Sequence, residues 1–251
     1  MKLYISDLHF FHENSIKLDG RTVCDSARGA VRDAAGAAGA AEGTAGFGND
    51  IASGSRLFES TEEMTKYMIE KWNGKVRGGD IVIVLGDMFW ASSADEKSVS
   101  QINRVLNRLN GKICLIEGNH DAKWLKLPGI KLDRFEWIKP YGELFDGDKT
   151  VILSHYPVFC YNHQYQTLPD GSPRTFMMYG HVHNTHDEIL VNEFIRLTRE
   201  AVIPGKENVL DRKIPCNMIN CFCKFSDYTP LSLKEWIELD KNRRNNINNI
   251  N

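Results

Sequence analysis

The sequence lacks a long apolar segment, a strong charge of either sign and a regular cysteine framework. No apolar run approaches the ~20 residues that a membrane-spanning helix needs, and the first residues turn polar too soon for a signal peptide. The net charge of -2 argues against a broad nucleic-acid-binding surface, although it permits a local basic groove. The six cysteines follow no disulfide spacing. These absences predict a cytoplasmic protein without membrane contact.

The composition is that of an ordinary globular protein, with 251 residues, 42% hydrophobic and 25% charged. No internal repeat or linker divides the chain, which predicts a single domain over residues 1–240. Residues 25–55 are rich in alanine and glycine and offer no large apolar face, so we expect a flexible surface insertion there. A lid over a nearby site is the alternative interpretation. The asparagine-rich residues 241–251 are predicted to form a disordered tail.

Hydrophobic periodicity predicts a chain that mixes strands and helices. Residues 81–85 and 112–116 have the apolar character of buried strands, and a helix ending at Asn110-Gly111 joins them into a parallel βαβ unit. Ser60 and Glu63 form a capping box before a helix whose Met and Trp stripe is expected in the core. Further strands are predicted at 3–5, 150–153, 175–179 and 216–225, and further helices at 187–200 and 232–239.

Polar side chains follow directly after five of these strands. The segments are Asp7-Leu8-His9, Gly86-Asp87, Gly118-Asn119-His120-Asp121, Ser154-His155 and Gly180-His181-Val182-His183. One such segment is ordinary turn or capping chemistry. In a triplet such as His181-Val182-His183, however, the outer side chains share one face of an extended strand, although a turn in the backbone can aim them at two different ions. Five segments that supply Asp, Asn and His together predict a site for divalent metals.

The order of the motifs, D-x-H, G-D, G-N-H-D, H and G-H-x-H, resembles the calcineurin-like metallophosphoesterase superfamily. Residues 7–14 and 56–64 are similar to segments of its small bacterial and phage phosphoesterases. The resemblance implies an α/β fold, a two-sheet β-sandwich flanked by helices in four layers. It also implies a metal-dependent phosphoester hydrolase, in which a dinuclear metal centre and a metal-bound hydroxide act on a phosphomonoester or a phosphodiester.

The resemblance assigns ligands residue by residue. The first metal would be bound by Asp7, His9 and His183, the second by Asn119, His155 and His181, and both by the bridging Asp87. The implied cofactors are two divalent ions. The mixed nitrogen and oxygen ligands accept Mn, Fe, Zn, Ni or Co, and the resemblance favours Mn or Fe.

Two further residues receive catalytic roles from the resemblance. His120 would lie over the substrate, where it stabilises the phosphoryl oxygens or protonates the leaving group, and Asp121 would orient His120. The chain departs from the family pattern after Gly86-Asp87, where many members carry an arginine and this sequence does not. It also has Phe222 and Lys224 where close relatives tend to have glycine and an acid.

The expected partner is a phosphorylated small molecule or a nucleotide. Two other functions stay open: a non-catalytic metal-bound protein-interaction scaffold, as in one retromer subunit of this fold, and a nuclease of the same superfamily. A nuclease needs a basic, aromatic groove, for which Lys123, Trp124 and Lys126 are the candidates. Five polar residues near the motifs either line a pocket or belong to the surface: His12, Asn14, His163, Asn184 and His186.

Overall fold

The computed structural model describes residues 1–24, 55–91, 95–205 and 211–248. The strands in these ranges are β1 (Lys2–Ile5), β2 (Thr22–Cys24), β3 (Ser55–Leu57), β4 (Ile81–Val84), β5 (Lys112–Ile116), β6 (Phe135–Lys139), β7 (Tyr141–Asp146), β8 (Lys149–Ser154), β9 (Thr175–Tyr179), β10 (Val202–Ile203), β11 (Arg212–Lys213) and β12 (Met218–Asn220). The α-helices are α1 (Glu13–Leu18), α2 (Thr61–Lys75), α3 (Glu96–Arg108), α4 (Asp121–Trp124), α5 (His186–Glu200) and α6 (Leu233–Asn248). The predicted insertion at residues 25–55 lies almost entirely outside the described residues.

Two four-stranded sheets carry the fold. The first has the order β1-β4-β5-β6 and is parallel throughout. The second has the order β12-β9-β8-β7, in which β12, β9 and β8 are parallel and β7 runs antiparallel to β8. Because neighbouring parallel strands end at the same edge, each sheet gathers its carboxyl ends together. The predicted mixed α/β class is confirmed, as is the parallel pairing of the two strands around α3.

The side chains of these strands alternate between apolar clusters, as the two-residue period of a strand requires. In β4, Val82 and Val84 pack with helices α2 and α3, whereas Ile83 packs into a second cluster. That second cluster also contains side chains of the other sheet, among them Leu153 and Met178. The far face of the second sheet packs against α5 in a third cluster. Strands buried on both faces explain the nearly continuous apolar runs of the sequence.

Helix α2 begins where the capping signal predicts. The Ser60 hydroxyl accepts a hydrogen bond from the Glu63 amide at 3.1 Å, and the Glu63 carboxylate accepts one from the Glu59 amide at 2.8 Å. The Met and Trp stripe is fully buried, as expected: Met64, Met68, Ile69 and Trp72. The cap and the stripe together explain why this helix forms against the first sheet.

The last predicted strand, 216–225, is wrong in extent. Only β12 pairs in the sheet, and residues Cys223–Ser226 form a 3-10 helix. After β12 the chain crosses from the second sheet to the first, where the Ser6 amide donates to the Cys221 carbonyl at 2.8 Å. The segment stays apolar because it remains buried, with Phe222 and Cys223 fully inaccessible. Burial with only an isolated bridge, between Ser6 and Phe222, produces the same apolar pattern as a strand.

The predicted disordered tail is wrong for residues 241–248, which continue helix α6 well beyond the predicted end at 239. Tertiary contacts supply the stability that the asparagine-rich sequence lacks. Arg243 donates to the Glu188 carboxylate of α5 at 2.6 Å, and Arg244 donates to the Met218 carbonyl of β12 at 3.0 Å. At the start of the helix, the Trp236 indole donates to the Tyr4 carbonyl of β1 at 2.9 Å.

Candidate metal centre

The carboxyl ends of five strands meet in one place. After β1 and β4, the Asp7 amide donates to the Gly86 carbonyl at 3.0 Å and the His9 amide to the Asp87 carbonyl at 2.9 Å. The two sheets are joined there as well, since the His181 amide donates to Asp7 Oδ1 at 3.0 Å. Residues 174 positions apart are therefore brought into direct contact. This convergence places all seven predicted ligand residues in a single cluster.

Five of those seven residues have a left-handed backbone. The positive φ angles are 55° at Asp7, 46° at His9, 54° at Asp87, 71° at His181 and 47° at His183. Residues other than glycine disfavour the left-handed region of backbone angles, at a cost of about 1–3 kcal/mol for each residue. Such strain persists only where the surrounding structure enforces it, and it concentrates at functional sites. The sharp turns explain how two ligands from one short segment can face the same point.

The first group of ligands comprises Asp7, His9 and His183. His183 Nε2 lies 3.2 Å from His9 Nε2 and 3.4 Å from Asp7 Oδ1. Asp7 and His9 are buried. Candidate ligand atoms of the three residues lie within 4.8 Å of one another. The structure thus brings together the three residues that the sequence assigned to the first metal.

The second group comprises Asn119, His155 and His181. Asn119 Oδ1 lies 3.0 Å from His155 Nε2 and 3.0 Å from His181 Nδ1. The other nitrogen of His155 donates to the Leu85 carbonyl at 2.8 Å, which leaves Nε2 directed at the group. His155 is buried, whereas Asn119 and His181 are exposed. One side of the cluster is therefore open to solvent.

Asp87 lies between the two groups. Its Oδ2 is 3.6 Å from His9 Nε2 and 3.4 Å from His155 Nε2, while Oδ1 accepts the His120 amide at 2.9 Å. Candidate ligand atoms of Asp7, Asp87 and His155 also lie within 4.8 Å of one another. A single carboxylate therefore faces both groups of ligands.

The spacing of these donor atoms fits divalent cations. Two nitrogen or oxygen atoms bound ~2.1 Å from one ion, at angles between a right angle and a tetrahedral angle, are ~3.0–3.4 Å apart. The distances within the two groups, from 3.0 to 3.4 Å, fall in that range. Imidazole nitrogens mixed with carboxylate and amide oxygens suit borderline ions better than an all-oxygen magnesium site would. The residues present therefore fit the metals that the motifs imply.

Comparison with known proteins agrees with this geometry. A profile of the calcineurin-like phosphoesterase family matches residues 3–223. The chain belongs to the calcineurin-like phosphoesterase family. Membership supports a metal-dependent hydrolase that acts on phosphoester bonds, and it confirms the family resemblance that the motifs indicate.

One sequence relative and one solved structure are informative about the extent and the fold of the chain. The uncharacterized protein MJ1445 of Methanocaldococcus jannaschii is 30% identical over 166 residues, which cover 66% of this chain and 78% of that protein. The crystal structure of the protein of unknown function AQ665 from Aquifex aeolicus has a TM-score of 0.53 at 20% identity. That alignment covers 95% of this chain and 98% of the other, and it supports the fold. Among the described helices of the phosphoesterase, none has the length and apolar character that crossing a bilayer requires.

The electrostatics of the phosphoesterase cluster favour cation binding. Burial pushes the pKa of Asp7 upward, but the imidazoles around it, above all His183, bring that pKa below its usual range. Burial and the Arg21 guanidinium lower the pKa of His9 to about 3, so its ring is neutral and keeps a lone pair. Burial opposes charge on His155, yet Asp87 and Asp7 raise its pKa to about 9. Ionised carboxylates thus concentrate negative charge that a divalent cation would neutralise.

The role predicted for Asp121 is wrong. Its carboxylate accepts the amides of Asp87 (2.7 Å), Met88 (2.9 Å) and Gly118 (2.8 Å) and the Trp124 indole (2.7 Å). Among the described hydrogen bonds, none joins Asp121 to the His120 side chain. Because Asp121 directly follows His120 in sequence, it is expected to be the partner of that histidine. In the structure Asp121 begins α4 and its side chain is buried. Asp121 holds the backbone of two ligand loops instead.

We expect Asp121→Ala to lower the free energy of unfolding by at least about 3 kcal/mol, because it leaves three buried amides and an indole N–H without an acceptor. Urea denaturation of the metal-free protein measures this change. The exposed Asp148 provides a control, and Asp148→Ala should change stability by less than about 0.5 kcal/mol. An equal effect of the two substitutions would contradict the structural role of Asp121.

The sequence did not single out several residues around the centre. Asp19 Oδ1 lies 2.8 Å from His183 Nδ1, and the buried Arg21 donates to the other oxygen of Asp19. The Trp90 ring stacks on His12 at 3.9 Å and lies 4.7 Å from the His120 ring. No spacing rule marks Asp19 or Arg21. Their position in the turn after α1 gives no local signal of a distant partner.

Proposed function

We propose that this phosphoesterase hydrolyses a phosphomonoester or a phosphodiester with two divalent metal ions, and that it acts catalytically rather than as a scaffold. The observation that carries the proposal is Asp87, whose carboxylate faces two groups of ligands at 3.6 and 3.4 Å. A carboxylate that faces both groups can serve two ions at once and places negative charge between them.

The ligand assignment in this proposal follows the contacts. Asp7, His9 and His183 hold one ion, Asn119, His155 and His181 hold the other, and Asp87 is shared. Mn or Fe is the favoured pair of metals, with Zn, Ni or Co as the other candidates. When bound, the two ions would supply positive charge for the phosphoryl oxygens and lower the pKa of a nucleophilic water. The exposed side of Asn119 and His181 is where substrate would approach.

His120 is the residue proposed to touch the substrate. Its amide is fixed by Asp87 Oδ1, and its side chain is one-third exposed, with Nε2 3.9 Å from Asp87 Oδ2. Such a position allows the imidazole to donate a hydrogen bond to a phosphoryl oxygen or a proton to the leaving group. Trp90 packs on one side of the ring and limits its movement.

The proposed substrate is a phosphorylated small molecule or a nucleotide, and the proposed location is the cytoplasm. The nuclease alternative draws less support, because Trp124 is fully buried with its indole on Asp121 and is not available to stack on a base. Lys123 and Lys126 are exposed. Two surface lysines without that aromatic residue make a small basic patch rather than a groove.

We further propose that the two sheets form the inner layers of a four-layer sandwich, with helices outside. The single domain predicted over residues 1–240 would then also include the rest of α6, to residue 248. The cluster shared by side chains of both sheets supports this layering. The clusters that pack α2 and α3 on one sheet and α5 on the other support the outer layers.

Substitution of His120 by alanine tests the catalytic proposal. We expect His120→Ala to keep both metal ions and to lower kcat by about 100- to 10,000-fold, because a general acid or oxyanion donor is removed while the ligands stay. The assay compares aryl phosphate monoesters, aryl phosphate diesters and nucleotides in the presence of Mn²⁺, and metal content is measured on the same samples.

His163 provides the matched control. It contacts Gln166 and lies near Thr150, at the opposite end of β8 from the metal centre. His163→Ala should hydrolyse every substrate at the wild-type rate. Full activity of His120→Ala would contradict the role proposed for His120. A metal-loaded wild-type protein that hydrolyses none of the substrates would favour the scaffold function.

A further inference from the structure

A buried carboxylate outside the predicted ligand set fixes one of the metal-binding histidines. Asp19 follows α1 and is only 5% exposed. Its Oδ1 accepts a hydrogen bond from His183 Nδ1 at 2.8 Å. The opposite nitrogen of the same ring, Nε2, faces Asp7 Oδ1 and His9 Nε2. The bond to Asp19 therefore decides which nitrogen of His183 faces the first group of ligands.

Arg21 holds Asp19 and the first ligand loop together. Its guanidinium is completely buried. Nε donates to Asp19 Oδ2 at 3.0 Å, while the two terminal nitrogens donate to the carbonyls of Leu8 at 2.6 Å and Asp7 at 2.8 Å. One side chain thus connects the carboxylate that orients His183 with the backbone segment that carries Asp7 and His9.

The remaining contacts restrict the His183 ring further. The ring stacks face to face on Phe222, with the centroids 4.7 Å apart and the planes 3° from parallel. Lys224 donates to the backbone carbonyl of Asp19 at 2.8 Å. Phe222 therefore packs against His183, and Lys224 contacts the carboxylate partner of His183.

A simple stabilising ion pair explains only part of this arrangement. Asp19 uses one oxygen for Arg21 and the other for His183. The Asp19–Arg21 ion pair is therefore also bonded to a candidate metal ligand. Burying two charges costs several kcal/mol for each ion, which a purely structural pair repays poorly. A carboxylate on the distal nitrogen of a metal-binding histidine instead fixes its tautomer and raises its basicity as a ligand.

We propose that Asp19 and Arg21 are positioning residues for the ion bound by Asp7, His9 and His183, and that they control the affinity of this ion separately from that of the other. The proposal rests on the dinuclear centre of the proposed function. It assigns a dedicated support to one group of ligands, since His155 in the second group is oriented by a backbone carbonyl instead.

Metal titration of the metal-free full-length chain with Mn²⁺ tests the proposal, with calorimetry resolving the two binding steps. Asp19→Asn should weaken one step by about 10- to 100-fold, while the other step stays within about threefold of wild type. Asp19→Glu keeps the negative charge that Arg21 requires and should lose less affinity than Asp19→Asn. If Asp19→Asn folds poorly, the metal affinities of Asp19→Glu still test the proposal.

Asp240 supplies the matched control, because it is a buried aspartate paired with Arg244 at 2.7 Å in α6. Asp240→Asn should lower the urea midpoint of the metal-free protein without changing either metal affinity. Wild-type affinity for both ions in Asp19→Asn and Asp19→Glu would overturn the proposal. The proposal would also be overturned if Asp19→Asn weakened both metal-binding steps equally and Asp240→Asn did the same.

The same titration separates this inference from the proposed function. A wild-type chain that binds no Mn²⁺ overturns both. A wild-type chain that binds two ions, with one step weakened in Asp19→Asn, supports the positioning role even if the substrate panel shows no hydrolysis, a result that would count against the proposed function alone.

Discussion

Asp87→Ala is expected to abolish hydrolysis and to reduce the bound metal from two ions to one or none. The carboxylate faces His9 in one group and His155 in the other, and among the described residues it is the acid that also fixes the His120 amide. Its loss removes a ligand from both ions and the negative charge between them. Metal ions supply several kcal/mol of transition-state stabilisation, so kcat/KM should fall by at least about 1,000-fold.

Metal analysis and kinetics on the same preparation of Asp87→Ala check this expectation. Circular dichroism and urea denaturation establish that the variant is folded. The exposed Asp133 in the 3-10 helix Leu132–Arg134 gives a control acid, and Asp133→Ala should retain both ions and full turnover. If Asp87→Ala kept two ions and wild-type kinetics, the shared-ligand role would be refuted.

Gly118→Ala should also cause a large loss of activity, although it removes no functional group. A Cβ at position 118 would lie 2.2 Å from Asp87 Oδ1 and 2.5 Å from the Asp87 amide nitrogen. Neither atom can retreat, because the amide is bonded to Asp121 and Oδ1 to the His120 amide. The added methyl group must therefore displace Asp87. Misplacement of a reacting group by about 1 Å can cost 100-fold in rate, and we expect at least that loss in kcat/KM, with weaker metal binding.

Gly74 offers the control for this substitution. It lies within α2, and a Cβ there meets no atom within 4 Å. Gly74→Ala should raise the free energy of unfolding by up to about 1 kcal/mol through helix propensity and leave metal content and kinetics unchanged. Wild-type metal binding in Gly118→Ala would show that Asp87 is not held as tightly as its contacts indicate.

The sequence contained enough information to predict that the candidate ligand residues lie together, but not the contacts that support them. Asp7 and Asp87 follow within three residues of β1 and β4, two paired parallel strands whose carboxyl ends lie at one edge of the first sheet. Local pattern therefore sufficed to predict that such residues meet. The prediction for Asp121 failed because adjacency in sequence does not determine which way a side chain points after a turn.

Contacts between distant segments explain the other failures. Asp19 and His183 are 164 residues apart, and the sequence around Asp19 has no feature that indicates a histidine partner. Helix α6 extends past its predicted end because Arg243 and Arg244 bond to α5 and β12, which outweighs the low helix propensity of asparagine. Propensity and periodicity describe neighbours along the chain, whereas these side chains are fixed by neighbours in space.

The bonding of β1 to residues 221–236 delays the final ordering of this strand during synthesis. The backbone of Tyr4 pairs with that of Leu231, and the Tyr4 carbonyl accepts a hydrogen bond from the Trp236 indole. The Ser6 amide donates to the Cys221 carbonyl. A nascent chain that has emerged from the ribosome only as far as β9 can bond Asp7 and His9 to the loop after β4, but it lacks the partners of Tyr4 and Ser6. Contacts of such long sequence separation form late and slowly. The strand that leads into Asp7 therefore gains its last contacts only after residues 221–236 have been made.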